Sequence, residues 1–572
     1  MKNLSAPILA EDLLLVLFQP DSGTIAGENT LYYVLAGPYR LLGGSPSSLA
    51  AGALVVNALS LVGIGWIAKR RGGVPLMLCM LLTSLLMVRA LGFEFLATPW
   101  NPWITVLPYA LLVMLTWAMT CGERWALPVA ALVATFVVQT HVGYAVLALP
   151  LAGFGALWLL VGEFRARRER RGAEGDAAGT TASVESEAPG TEAVEGEAGV
   201  GGEAGEGDVV EPGKGSDGAG TTASVGSRLG WRARPLTWAL VVTGVVLFVA
   251  WLPPVFQQLT HEPGNLGVVV RWFGEKGEDS RTFGDVWAVM SAQYAWNPEW
   301  LTGAVGYSIV GEPFYVTWPR IPVLFVFVVI AAVAGWRRPG GDARRLLVVW
   351  GVASALAALA VLRTVGLLYG YRLKSTWPLA AIVGAYCLWV AWAWLAERWP
   401  RLERRVLVPF MAAAVVVMAG VDFGSAVKAG VPEEEQSKRI DSLGDQVAEV
   451  LPADIGPVKV VPTSFLAMGY GSGLQANLEN RGFDTRKAGA DQYVDDHRTP
   501  PRNPAATIQV VTDEHVPRAL DDPDLDMIAY ASDLSIEELR RLSEARLEAT
   551  REVQEAQAAG EEIDLEELAE LA

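Results

Sequence analysis

The sequence predicts an all-α polytopic membrane protein of about ten transmembrane helices, followed by a small extracytoplasmic α/β domain. Three observations predict it. Of the 572 residues, 52% are hydrophobic, and they come in unbroken blocks rather than as amphipathic stripes. Each block runs about 17 to 22 residues, the length a helix needs to cross a ~30 Å hydrocarbon core. The basic clusters fall between alternate blocks, which gives the blocks a consistent direction through the bilayer.

Taken in order, the predicted spans are 48–67, 73–91, 103–120, 125–140, 143–162, 237–256, 321–336, 345–362, 377–396 and 405–422. Lys69-Arg70-Arg71, the cluster from Arg165 to Arg171, Arg232 with Arg234, Arg337-Arg338 with Arg344-Arg345, and Arg398 to Arg405 occupy alternate connections. Those connections are expected to face the cytoplasm. The segment 1–47, the loops near 92–102 and 257–320, the turn 363–376 and everything from about 425 then lie outside. The expected setting is a bacterial inner membrane, with the chain crossing it many times and the C-terminal domain extracytoplasmic.

The expected organisation follows. Residues 1–47 form an extracytoplasmic segment with an interfacial helix, and 48–162 hold the first five spans. Residues 163–235 are a cytoplasmic linker. Residues 236–424 hold the last five spans with the large outer loop 257–320. Residues 425–530 make the α/β domain and 531–572 an acidic helical tail. Asp12 to Phe18 is apolar but too short to span, so the chain reads as lacking a leading transmembrane helix.

The formal charge of −17 is unevenly placed. Twelve acids and one lysine fall within 172–227, a Gly-, Ala-, Ser- and Thr-rich stretch in which GTTASV occurs at 179–184 and again at 220–225. Such a composition buries too little surface to offset chain entropy, so disorder is expected there. The membrane part carries arginines instead, and the acidic balance says nothing about partners. Cys79, Cys121 and Cys387 sit in or beside apolar runs without metal-ligand spacing. The Gly-rich piece from Gly469 to Gly473 lacks the lysine of a nucleotide loop, and nothing points to nucleic acid. In the tail, helices are expected over 437–450, at 476–480 and after Pro523, with Ser535 and Glu538 spaced as a capping box; strands are expected over 458–461 and 507–511.

Chemistry-bearing residues gather at the outer ends of the spans. Arg89 and Glu94 flank the end of the second, followed by Trp100-Asn101-Pro102-Trp103. Gln139-Thr140-His141 joins the fourth and fifth. Tyr369, Tyr371, Arg372 and Lys374 precede the ninth, and the long outer loop carries Gln257-Gln258, His261-Glu262-Pro263-Gly264-Asn265, Arg271 and Trp272. Cations on the outer face run against the positive-inside bias. An outward cavity holding a guanidinium, an ammonium and tyrosines suits an anionic lipid headgroup, because arginine grips phosphate bidentately, and Arg89, Arg372, Lys374, Tyr371, Asn101 and His141 are the candidates to bind the substrate. The competing reading is snorkelling of long side chains to the interface, with His141 a core or interfacial hydrogen-bonding residue.

Four stretches then occur in order: LYYVLAGPYRLLGGSP (Leu31 to Pro46), PWNPWITVLPYALLVMLTWA (Pro99 to Ala118), VQTHVGY (Val138 to Tyr144) and PPVFQQLTHEPGNL (Pro253 to Leu266). Together they resemble bacterial membrane glycosyltransferases of the GT-C type, the superfamily of protein O-mannosyltransferases and lipid A aminoarabinose transferases. The resemblance is nearest to a group from high-GC bacteria and covers most of residues 25–425. It implies a sugar carried on a polyprenyl phosphate and passed, with inversion, to a hydroxyl or amine of an extracytoplasmic glycan, lipid or protein acceptor. That chemistry asks for a carboxylate base, cationic donors at the departing phosphate and an apolar groove for the prenyl chain. A divalent cation is compatible with it, although no ligand spacing identifies one.

The sequence departs from that family in the first outer loop. Gly27-Glu28-Asn29-Thr30 stands at the position of a His-Pro-Gly-Pro-like stretch, and Thr98 stands where relatives often have an acid before Pro-Trp-Asn-Pro. The outer carboxylates left as candidates for the base are Asp21, Glu28 and Glu94, with Glu28 preferred for its place just before the interfacial helix. Alternatives stay open: a catalytically inactive or truncated relative, or a transporter of lipid or solute. Against the last, the halves show no internal repeat and the polar residues cluster at span ends rather than at the midplane.

Overall fold

The computed structural model describes residues 29–42, 46–92, 94–184, 236–260, 281–303, 321–337, 341–364, 368, 370–428, 434–487, 504–512, 515–542 and 544, 545, 548 and 551. The described residues are mostly helical, and among them seven helices are long and apolar enough to cross a membrane. The helices that bear on the argument are α1 (Asn29–Leu41), α2 (Pro46–Leu91), α3 (Asn101–Ile104), α4 (Val106–Thr120), α5 (Ala126–Thr140), α6 (Ala145–Val184) and α7 (Leu236–Thr260). After them come α8 (Phe283–Ala292), α9 (Glu299–Thr302), α10 (Phe325–Trp336), α11 (Asp342–Leu362), α12 (Gly370–Leu373), α13 (Trp377–Arg398) and α14 (Val408–Lys428). Two of these, α5 and α10, are apolar but shorter.

Helix α2 is bent double. Gly73 takes φ 73° and ψ −169°, a conformation open to glycine and costly to any side chain, and Pro75 follows it. A straight helix would hold Gly65 and Leu81 about 24 Å apart. Instead a Cβ on Gly65 would touch the Leu81 side chain, so residues 46–72 and 74–91 run side by side as two arms. The arm 74–91 is about 27 Å long, which places Lys69 to Arg71 and Arg89 at opposite ends of the bundle.

Helix α4 is the hub. Fourteen of its residues are buried, and it touches α2, α5, α6, α11 and α13. A helix that is apolar on every side finds burial only when surrounded, and Tyr109, Leu112, Met114 and Trp117 fill the centre of the main core. Helices α7 and α14 behave differently: each packs one side, on α5 and α2 respectively, and exposes Val, Leu and Phe on the rest.

The last part of the chain forms α15 (Glu434–Val450), β1 (Val458–Pro462), α16 (Phe465–Asn480), β2 (Thr485–Lys487), β3 (Ala506–Val510) and α17 (Val516–Leu520). Its sheet is parallel in the order β2-β1-β3, with Val458 paired to Thr485 on one side and to Ala506 on the other. Val458, Val460, Ile508 and Val510 pack with Leu474, Leu478 and Val447 into a separate small core.

Three expectations change. Helix α6 continues through the Arg165–Arg171 cluster to Val184, so the start of the segment expected to be disordered is helical; Ala, Glu and Arg are good helix formers and extend a helix already nucleated in the bundle. Residues 185–235 lie outside the described residues. Strand β2 has no alternating pattern in the sequence and is drawn into the sheet only by pairing with β1. The helix expected after Pro523 begins at 536, where Ser535 and Glu538 close the capping box with bonds of 2.8 and 3.3 Å.

Candidate functional site

The two ends of the bundle treat charge in opposite ways. At the Gly73 end three acids neutralise four arginines. Arg70 meets Glu123 through two bonds of 3.1 Å, Arg71 donates to the same carboxylate, and the Trp125 indole donates to it at 2.8 Å. Asp342 receives Arg345 at 3.0 Å and Arg71 at 3.5 Å, and Arg124 grips Glu163 at 2.7 and 2.8 Å. Glu123 is 2% exposed. Burial alone would raise its carboxyl, but the hydrogen bond from Arg70, the charge of Arg71 and the Trp125 indole outweigh that, so Glu123 is held below the ordinary carboxylate range. This end is locked.

At the opposite end cations lie against aromatic rings and hydroxyls. Tyr371 and Arg372 belong to α12, a single turn that a 3-10 turn over Lys374–Thr376 joins to α13. The Arg372 Nε donates to the Tyr371 hydroxyl at 3.2 Å, with the guanidinium 5.7 Å from that ring's centroid. Trp100 stacks obliquely on Tyr371 at 5.1 Å, and Trp103 continues the aromatic row at 6.1 Å from Trp100. The Lys374 ammonium sits 3.6 Å above the Trp377 ring, within electrostatic reach of Glu299 on α9.

His141 reaches the same group from the turn between α5 and α6, within electrostatic reach of Arg372. Its Nδ1 accepts the Gly143 amide at 3.1 Å, which leaves the proton of the neutral ring on Nε2. The turn is fixed from below: Gln139 donates to the Ala250 carbonyl of α7 at 2.9 Å and accepts the Thr30 hydroxyl of α1. Three helices far apart in sequence therefore set where His141 stands.

The predicted site residues divide accordingly. Tyr371, Arg372 and Lys374 share adjoining turns, with His141 within electrostatic reach of Arg372 and Asn101 opening α3 directly after Trp100. Arg89 does not join them. It lines a separate pocket with Asp422 of α14, because the end of α2 lies against α14 there. The binding residues expected from the sequence thus fall in two places, linked by α9: Glu299 opens that helix within electrostatic reach of Lys374, and Thr302 ends it in the Arg89 pocket.

Of the expected acids, Glu94 starts a 3-10 turn and is half-buried, its carbonyl accepting the Thr98 hydroxyl at 2.8 Å. Asp21 and Glu28 lie outside the described residues, as do Tyr369 and the stretch from His261 to Trp272. Sequence reasoning misses Glu299 and Asp422. Glu299 gives no signal of its own within WNPEW, but Asp422 does: it is a lone acid in the apolar run VVVMAGVDFGSAV. Among the described residues no group of three or more His, Cys, Asp or Glu side chains is placed to hold a metal ion. No protein-family model, curated protein or solved structure matches the chain.

Proposed function

We propose that the protein is a polytopic inner-membrane glycosyltransferase that takes a sugar from a polyprenyl phosphate and passes it to an extracytoplasmic acceptor. The observation that supports this reading best is the group formed by Arg372, Lys374, His141, Tyr371 and Trp100, at the end of the bundle away from the locked charges. Two cations beside aromatic rings suit a lipid-linked phosphate: the cations meet the phosphate oxygens, and the rings sit at the depth where headgroup gives way to chain. In the transfer step the acceptor oxygen or nitrogen bonds to the anomeric carbon and gives up its proton to an outer carboxylate, for which Glu94 is the described candidate. The bond from that carbon to the phosphate oxygen breaks, its electron pair leaving with the lipid phosphate, where Arg372 and Lys374 balance the charge.

The orientation belongs to the same proposal. The two arms of α2, the other six long apolar helices and the shorter α5 and α10 make ten crossings, with the Arg-rich connections inside and the C-terminal domain outside. The test is transfer of radiolabelled sugar from synthetic polyprenyl-phosphate donors by the full chain in proteoliposomes. Arg372→Ala is expected to lower transfer about 100-fold with folding intact. Full transfer by that variant removes the site assignment, and no transfer by the wild type across a panel of sugars removes the activity.

One observation favours a second reading, a catalytically silent relative. Thr98, where the resemblance would place an acid, is buried and spends its hydroxyl on the Glu94 carbonyl, a structural task. A silent protein would bind the lipid phosphate through Arg372 and transfer nothing.

A further inference from the structure

The Arg89 pocket is built unlike the aromatic site. It holds about 310 Å³, at the small end for a ligand cavity and large enough for a lipid headgroup. Arg89 stands exposed at its rim, Asp422 is 4% exposed in its wall, and Thr302 and Ser425 add hydroxyls. Among the described residues no aromatic ring lines it, which speaks against a sugar stacked on its flat face. The Oδ2 atom of Asp422 is buried, and none of the described residues donates to it. A buried carboxylate oxygen without a donor is costly and is relieved by a ligand that brings one. The pocket also borders the apolar outer surface of α14, where Val421, directly before Asp422, is 42% exposed.

We infer that this pocket binds a phosphoethanolamine group, with the ammonium donating to Asp422 and the phosphate meeting Arg89. One positive and one negative side chain, set at rim and wall, match a ligand carrying both charges in the reverse order. Arginine takes phosphate oxygens bidentately, and an ammonium supplies the N–H bond that Oδ2 lacks. A choline headgroup carries the same charges but has no N–H to give, so the pocket discriminates between them through Asp422. The inference is independent of the sugar-transfer reading, because neither residue belongs to the group around Arg372.

The test uses the full chain in nanodiscs containing equal amounts of phosphatidylethanolamine and phosphatidylcholine, with retained lipid counted by native mass spectrometry after release into detergent. The wild type is expected to retain phosphatidylethanolamine about tenfold over phosphatidylcholine, the ratio that one charge-assisted hydrogen bond supplies. Asp422→Asn is expected to abolish that preference, and Arg89→Gln to lower retention of both lipids, since both carry the phosphate. Equal retention of the two lipids by the wild type overturns the inference, as does a preference that survives in Asp422→Asn. If Asp422→Asn does not fold, Arg89→Gln decides, because its side chain is exposed; unchanged retention in that variant also overturns the inference. Soluble phosphoethanolamine separates the sources: displacement of bound lipid assigns the site to the headgroup alone, and failure to displace assigns it to the membrane-borne molecule. Either supports the pocket.

Discussion

Glu123 accepts Arg70 on both carboxylate oxygens, Nε on Oε1 and Nη2 on Oε2, each at 3.1 Å. The pair ties the Gly73 bend of α2 to the connection between α4 and α5, and Arg71 carries the tie on to Asp342 at the start of α11. Glu123→Ala would leave the Arg71 side chain, only 6% exposed, without its main counter-charge. Removing one partner of a buried pair costs about 3–5 kcal/mol. The expected outcome is a lower midpoint of denaturant-induced helix loss, read by circular dichroism in detergent.

The same carboxylate sets a pH dependence. Its folded-state pKa lies below the ordinary value of 4.5, so its contribution to stability is complete above that pH and is lost as the pH falls through the depressed folded value. The stability difference between wild type and Glu123→Gln is therefore expected to stay constant from neutral pH to about 5 and to shrink below it. Unfolding midpoints collected down to pH 3 check this. A difference that grows on acidification contradicts the assignment.

Gly335 on α10 lies against Tyr386 of α13, and a Cβ there would fall on the tyrosine hydroxyl. Gly335→Ala therefore forces Tyr386, buried between the helices, to shift, at about 1–3 kcal/mol. Replacing Tyr386 by Leu in the same chain is expected to recover part of the loss. Thermal aggregation midpoints of the single and double variants measure it.

In the C-terminal domain, Ser464 begins α16 as its N-cap, accepting the Ala467 amide at 3.1 Å and sharing a 2.9 Å hydrogen bond with the Thr512 hydroxyl beyond β3. Ser464→Ala is expected to cost about 1–2 kcal/mol, and Ser464→Asp less, since aspartate also caps. Hydrogen exchange of the first turn of α16 in the full chain reads the effect locally.

The aromatic group around Arg372 is legible in the sequence as residue types, because cations and tyrosines gather at the ends of apolar blocks away from the Lys- and Arg-rich clusters. Its membership is not. Arg89 closes an apolar run and Arg372 precedes one, comparable local positions, yet Arg89 belongs to the pocket of Asp422, because membership depends on how α2 packs against α14. Glu299 carries no local mark at all. It gains significance only because α9 brings it within electrostatic reach of Lys374.

By itself the sequence determined the apolar helices, their approximate limits and the alternation of charge between them, because water and hydrocarbon sort residues one block at a time. It also determined β1, β3, α15, the last turn of α16 and the Ser535–Glu538 cap, which rest on local periodicity and local hydrogen bonds. The tertiary structure alone decided that α4 is the surrounded helix, that Glu123 neutralises Arg70 and Arg71, that β2 pairs at all, and that Asp422 faces the Arg89 pocket. Each of these joins residues distant in sequence through side-chain packing. A block's composition fixes how it meets solvent or lipid, but it does not state which neighbour covers which face.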